Sequence, residues 1–231
     1  MEHLSTRLNK YLALQLGISR READTMIEQR RITVNGQTAV LGGRVEQGDE
    51  ITVNGELIAN ETRAYTYLLF HKPLGYVCSR RDQGETPTIY NIIPPEYHEL
   101  KTVGRLDANS SGLILLTNDG NFAHQMTHPK FHKVKVYEVH LDSDLAPLHQ
   151  QMIGEFGVDL EDGRSQLSLM RLSETSRREW QVTMSEGRNR QIRRTFASLG
   201  YTVTSLHRTD FGPYRLGGMK SGELALIDIQ Q

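Results

Sequence analysis

Leu8, Leu12 and Leu16 recur at helical spacing along residues 7–16, with Thr6 placed to cap the first turn and Gly17 to stop the last. A second helix opens at Ser19. The run Ser19-Arg20-Arg21-Glu22 has the form of a capping box, in which the hydroxyl and the carboxylate each satisfy a free amide at the helix start. Ala23, Met26 and Ile27 form its inner face. The period then changes from helical to alternating at Ile32–Val34 and again at Ile51–Val53, and each run ends in Asn-Gly, the dipeptide best suited to a tight hairpin turn. Two helices and a few short strands make a small domain, which the mostly polar stretch 56–63 separates from the rest of the chain. The division expected is residues 1–60 and 61–231.

In the second part the pattern predicts strands at 67–70, 76–78, 113–117, 134–141, 167–172 and 180–184, and helices at 122–126, 145–152 and 189–199. Pro73 and Gly75 mark a turn between the first two strands. Strands outnumber helices and do not alternate strictly with them, so the fold class expected is α+β: a small N-terminal α/β domain followed by a mixed, largely antiparallel sheet domain. The last helix carries Ile192, Phe196 and Leu199 on one face and Arg190, Arg193 and Arg194 on the other, which would aim the guanidinium groups outward.

Composition bounds this picture. With 231 residues, 37% hydrophobic and 24% charged, the chain has material for a core and no low-complexity character. Apolar runs such as 113–116 are far too short to span a bilayer, and residues 1–9 hold no apolar signal core, so neither membrane insertion nor export is expected. The single cysteine, Cys78, can form neither an internal disulfide nor a thiolate cluster, and a reducing cytoplasm fits. A net charge of −1 argues against coating nucleic acid by bulk charge. Between residues 186 and 220, however, Arg188, Arg190, Arg193, Arg194, Arg208, Arg215 and Lys220 face only Glu186 and Asp210, a local excess able to hold phosphates.

Several chemistries lose their usual support. The chain has no Gly-rich phosphate loop ending in Gly-Lys-Ser/Thr and no nucleophile elbow. His124, His128 and His132 have helical spacing, but Pro129 interrupts the face and no cysteine or carboxylate completes a ligand set, so no metal is expected. Asp107, followed by Ala-Asn-Ser-Ser-Gly, reads in isolation as a turn aspartate at the entry to the 113–117 strand.

Longer stretches carry more. The segment TRLNKYLALQLGISRREADTMIEQRRITVNG resembles the small RNA-binding domain shared by a small-subunit ribosomal protein, some aminoacyl-tRNA synthetases and several RNA-modifying enzymes. That resemblance implies that Arg7, Lys10, Arg20, Arg21, Arg30 and Arg31 are presented to folded RNA. The run VGRLDANSSGLILLTNDG resembles the signature of the pseudouridine synthases, in the RsuA-like branch that modifies ribosomal RNA. FHKPLGYVCS before it, and THPKFHKVKVYEV and EGRNRQIRRTFASLGYTVTSLHRTDFG after it, agree in order.

The resemblance implies a uridine isomerase without metal or organic cofactor, a monomer whose partner is ribosomal RNA or a ribosomal assembly intermediate. It makes Asp107 the catalytic carboxylate, Arg105 the residue that enters the RNA as the target nucleotide leaves, and Tyr137 the aromatic beside the uracil. Arg193 matches the cation that pairs with Asp107, and Leu206 a wall of the pocket. Lys72, Arg190 and Arg208 are expected at phosphates or loops. The run NRQIRR leans towards enzymes of the large subunit.

Elementary chemistry agrees with these roles. The base must leave the stack before its glycosidic bond can be remade through carbon 5, at a cost of a few kcal/mol that a long inserted cation offsets. A tyrosine face can hold the extruded ring, and a neighbouring arginine can aim a carboxylate. Whether Asp107 attacks the sugar, adds to the ring or removes a sugar proton stays open at this level. The alternative reading is a non-catalytic RNA-binding or assembly factor with the same basic surfaces. A DNA-binding regulator using the first two helices would leave the Asp107 run unexplained.

Overall fold

The computed structural model describes residues 5–58, 64–80 and 84–229. The chain divides into two compact units, Met1–Tyr65 and Thr66–Gln231.

In the first unit, helices Leu8–Gln15 and Arg20–Glu28 pack Leu8, Leu12, Ala23 and Ile27 against Ile32, Val45 and Ile51. The capping box forms as its residue types demand: Glu22 N–H donates to Ser19 Oγ at 3.1 Å and Ser19 N–H to the Glu22 carboxylate at 2.6 Å. Thr6 does not cap the first helix. It lies in a two-residue strand, Thr6–Arg7, paired with Arg44–Val45, and the first helical amide, that of Leu8, is taken by the Gly43 carbonyl at 2.9 Å. Strand pairing has supplied the acceptor that the side chain was expected to provide. The four-stranded sheet Gln37–Thr38, Ile32–Val34, Ile51–Val53, Glu56–Leu57 is joined by the two Asn-Gly turns, in which Asn35, Gly36, Asn54 and Gly55 all have positive φ.

The second unit is built on a nine-stranded sheet. Its main path runs Ser168–Arg171, Glu179–Met184, Lys135–Leu141, Val203–Phe211, Ser111–Thr117, Tyr67–Lys72, Leu224–Leu226, with Lys101–Val103 also pairing Ser111–Thr117 and Tyr214–Arg215 pairing Val203–Phe211. All these pairings are antiparallel except that of Val203–Phe211 with Ser111–Thr117. Leu113 to Leu116 are fully buried, because both faces of the sheet are covered at this point. Ile114 and Leu116 join Phe70, Val139, Trp180 and the helix residues Ile192 and Phe196, while Leu113 and Leu115 join Leu69, Phe211 and the helix residues Phe122 and Met126.

Two expectations change. Residues 76–78 form no strand: Val77 makes a single isolated bridge to Thr88 after the Gly75 turn. The 145–152 helix is Pro147–Gln151 continued as a π-helical turn, Met152–Phe156. Val203–Phe211, the central strand, did not stand out in the sequence because Thr204, Ser205, His207, Thr209 and Asp210 dilute its apolar positions. Among the described residues no helix is long and apolar enough to cross a membrane.

The parallel contact is close. A Cβ on Gly112, whose φ is +106°, would lie 2.2 Å from the Arg208 carbonyl oxygen and 2.6 Å from its amide nitrogen. Both obstacles are backbone, so they cannot swing aside. Gly112→Ala is expected to cost about 3 kcal/mol or more through clash and strain. Urea denaturation measures this; a midpoint equal to wild type would show that the strands can separate without loss.

Candidate active site

The loop that carries Asp107 begins after strand Lys101–Val103 at Gly104, with φ +73°, and ends at Ser111. Each carbonyl from residue 107 to residue 110 has a donor. Lys72, at the end of strand Tyr67–Lys72 and fully buried, donates from Nζ to the carbonyls of Asp107 at 3.1 Å, Ser110 at 2.7 Å and Pro73 at 2.9 Å. Gly75 N–H takes Ala108 O at 2.7 Å, and Arg193 Nη2 takes Asn109 O at 2.6 Å. Burial pushes the Lys72 ammonium down to about 8, against a smaller upward pull from Cys78 and Asp107. The same loop contact surrounds Cys78, whose thiol is pushed up by burial and accepts the Leu106 N–H at 3.4 Å.

The Asp107 carboxylate is partly open. Its Oδ2 lies 3.3 Å from Arg190 Nη1, with the two side chains 38% and 44% exposed. Arg190 has φ +47° and stands immediately before helix Gln191–Ala197. The cation expected at this carboxylate was Arg193. Its guanidinium instead bridges Asn109 O and, at 2.7 Å, Val203 O, so it ties the loop to the central strand, and the ion pair with Asp107 belongs to Arg190. Burial, and then the nearby Arg190 charge, lower the Arg193 pKa, while the Asp107 carboxylate, close enough to act on it, raises it. The expectation of three outward arginines also changes: Arg194 is held at 2.6 Å by Asp162.

Asp107, Arg105, Tyr137, Leu206, Arg190 and Arg208 share a cleft of about 540 Å³. Tyr137 and Arg208 are cross-strand neighbours, as are Val139 and Leu206, so the strand pleat puts Tyr137, Leu206 and Arg208 on one face. Arg208 is 2% exposed; its Nε donates to Leu113 O at 2.7 Å, its guanidinium stands 4.8 Å over the Phe211 ring and 6.0 Å from that of Tyr137, and its Nη2 is buried without a hydrogen-bond partner among the described residues.

Lys135 completes this floor and was not anticipated. Its Nζ donates to the carbonyls of Lys133 and Glu186, each at 3.2 Å, and burial followed by the Arg208 charge lowers it to about 8. Strand parity with Tyr137, two residues on, was the available signal. A hollow of about 700 Å³ beside Pro147 and Gln166 has, among the described residues, Glu155 as its only charged lining residue and is a poorer candidate for chemistry.

The remaining basic positions belong to the first unit. Arg7, Arg20, Arg21, Arg30 and Arg31 are exposed there and Lys10 is half-buried. Arg20 and Arg31 bond to Asn9 and Asn54.

A lysine held more acidic in the folded chain than in the unfolded one makes unfolding take up a proton between about pH 8 and the ordinary value of 10.5. Native stability relative to Lys72→Met is therefore expected to rise with pH through that window, by about 2 kcal/mol between pH 8 and 9.5. Paired urea titrations of the two proteins measure it. A constant difference, or one that shrinks as pH rises, would mean that Lys72 keeps its ordinary proton affinity.

Comparison with known proteins fits this geometry. The family model for RNA pseudouridylate synthase matches residues 66–198, and that for the S4 domain matches residues 6–51. Pasteurella multocida "Ribosomal small subunit pseudouridine synthase A" is 39% identical over 97% of each chain. Pseudomonas aeruginosa "Ribosomal large subunit pseudouridine synthase B" is 38% identical over 90% of this chain and 55% of its own. A solved structure described as "Crystal structure of pseudouridylate synthase" superposes with a TM-score of 0.68 at 33% identity, covering 96% of both chains. The α+β fold, the Asp107 signature and these matches place the chain in the RNA pseudouridylate synthase family, in the RsuA-like branch that carries an N-terminal S4 domain.

Proposed function

We propose that this pseudouridine synthase acts on ribosomal RNA in the cytoplasm, as a monomer without metal or organic cofactor, with residues 1–60 supplying RNA affinity and residues 61–231 the chemistry. The observation that carries the reading is the placement of Asp107: a partly open carboxylate beside Arg190, on a loop whose carbonyls from residue 107 to residue 110 are each hydrogen-bonded, at a cleft shared with Tyr137 and Leu206. A flipped uridine would lie against the Tyr137 and Leu206 surfaces. Asp107 would act as nucleophile or base on it while Arg190 aims the carboxylate. The glycosidic bond to N1 breaks, a bond from the sugar to C5 forms, and the C5 proton leaves as N1 gains one. Arg105, exposed on the cleft rim, would occupy the space the base vacates. Arg193 acts through the loop as a positioning residue, and Arg208 and Lys135 make the floor of the cleft cationic.

The named relatives divide between the small subunit, at 39% identity, and the large subunit, at 38%. The NRQIRR run keeps the large subunit as the substrate proposed. The S4-like unit, with its exposed arginines, suits a folded RNA held by phosphates.

Pseudouridine mapping of ribosomal RNA from cells with and without the protein tests both substrate and activity. One large-subunit uridine is expected to stay unmodified without the protein, to be restored by wild type, and not to be restored by Asp107→Asn at an unchanged thermal midpoint. Asn keeps the turn-forming ability of Asp and removes only the ionisable group. Near-normal modification by that variant would return Asp107 to a turn cap and favour an RNA-binding factor without chemistry.

The two arginines are expected to fail differently. Arg190→Ala should lower single-turnover rate at least tenfold with little change in thermal midpoint, since its ion pair is partly solvated. Arg193→Ala should lower both, because two carbonyls lose their donor. Rate and melting measured on the same preparations separate them; indistinguishable variants would contradict the assignment.

A further inference from the structure

The segment between the Asp107 loop and Tyr137 is unlike the rest of the chain. Residues 121–137 contain no acid, while His124, His128, His132, Lys130, Lys133 and Lys135 supply basic groups among them. Phe122 and Met126 bury the inner side of helix Gly120–Thr127, and the chain then turns through Pro129–Phe131 and a left-handed His132, φ +45°, before entering strand Lys135–Leu141. Residues 127–132 are exposed without interruption.

Within this turn the side chains are organised. The His124 and His128 rings lie 4.7 Å apart, and Phe131 stands nearly perpendicular to His124 at 5.8 Å and edge-on to His128 at 6.3 Å. Lys130 Nζ sits 4.7 Å over the Phe131 ring, and its backbone N–H donates to His128 Nδ1 at 3.2 Å. Two histidines thus brace a phenyl ring that keeps 38% of its surface in solvent. Nothing in the fold of this unit needs an apolar ring there, since the core residues of the same segment are Phe122 and Met126. The turn also forms part of the cleft: Thr127, Pro129 and Lys135 line it together with Asp107.

We propose that Phe131 is a stacking platform for an unpaired base adjacent to the target uridine, with Lys130 released from the ring to a phosphate of that nucleotide. The proposal rests on the reading of the cleft as the uridine site. An aromatic face interleaved with cations, free of acids, is the arrangement that holds single-stranded nucleic acid without reading its sequence. The histidine spacing that first suggests a metal is accounted for as the brace of the ring.

The test uses full-length protein and a transcribed ribosomal RNA fragment containing the uridine identified by mapping. Phe131→Leu, which keeps apolar bulk but removes the π-face, is expected to raise the half-saturating RNA concentration about tenfold and leave the single-turnover rate at saturation within twofold. Phe131→Trp is expected to bind within twofold of wild type. Lys130→Gln should reduce the slope of log affinity against log salt by about one contact. Replacing the neighbouring nucleotide by an abasic one should weaken wild type and leave Phe131→Leu little changed, as expected for partners in one contact. Wild-type affinity in Phe131→Leu, or equal loss in the Leu and Trp variants, overturns the platform. Affinity is also read by fluorescence anisotropy, so an RNA that wild type binds but does not convert would count against the uridine site while the Leu and Trp comparison still decides the platform.

Discussion

A buried ammonium group organises the loop that carries Asp107. Lys72 has no exposed surface, and among the described residues its three donated hydrogen bonds go to backbone carbonyls. An isolated charge in such a place is costly, which is why its proton affinity falls. Three carbonyl dipoles offset that cost only in one arrangement, with Asp107 O and Ser110 O turned inward together. The loop therefore cannot relax without exposing the charge to fewer acceptors, and the side chain of Asp107 is left facing the cleft. Gly75 and Arg193 occupy the two carbonyls between.

The cleft itself is a seam between two kinds of surface. Its wall is apolar and aromatic, with Tyr137, Leu206 and Phe211 supplied by adjacent strands, while its rim and floor are cationic. Sheet geometry explains the mixture: alternate residues of Lys135–Leu141 and Val203–Phe211 meet on one face, and the sequence places Lys135, Tyr137, Leu206 and Arg208 at those alternate positions. Guanidinium over aromatic ring is the contact by which a cation stays beside apolar neighbours. A ligand suited to this surface has a flat ring at one end and negative charge at the other.

Much of this was legible in the chain because local rules governed it. Ser19 and Glu22 cap a helix by chemistry confined to four residues, and the Asn-Gly turns need only their own backbone freedom. The continuous apolar run before Asn118 had to be buried on both sides. What local pattern could not show depended on distant partners. Thr6 lost its cap to the Gly43 carbonyl, and Val203–Phe211 became the central strand although most of its residues are polar. The ion pair with Asp107 falls to Arg190, which adopts a left-handed backbone that helical spacing gives no reason to expect, while Arg193 donates to the carbonyls of Asn109 and Val203. Lys72 could be suspected of a loop contact, but its complete burial could not.

The parallel pairing of Gly112 with Arg208 has an implication for how the molecule comes into being. Asp107 and its loop are synthesised early in the second unit, yet the strand that closes the sheet around them arrives about a hundred residues later. Until Val203–Phe211 emerges, Lys135–Leu141 and Ser111–Thr117 have no common neighbour, Arg193 lacks one of its two carbonyls, and the cleft lacks Leu206, Arg208 and Phe211. An unfinished chain can thus carry the Asp107 run without the complete cleft around it, which forms late, when Val203–Phe211 slots into the middle of the sheet.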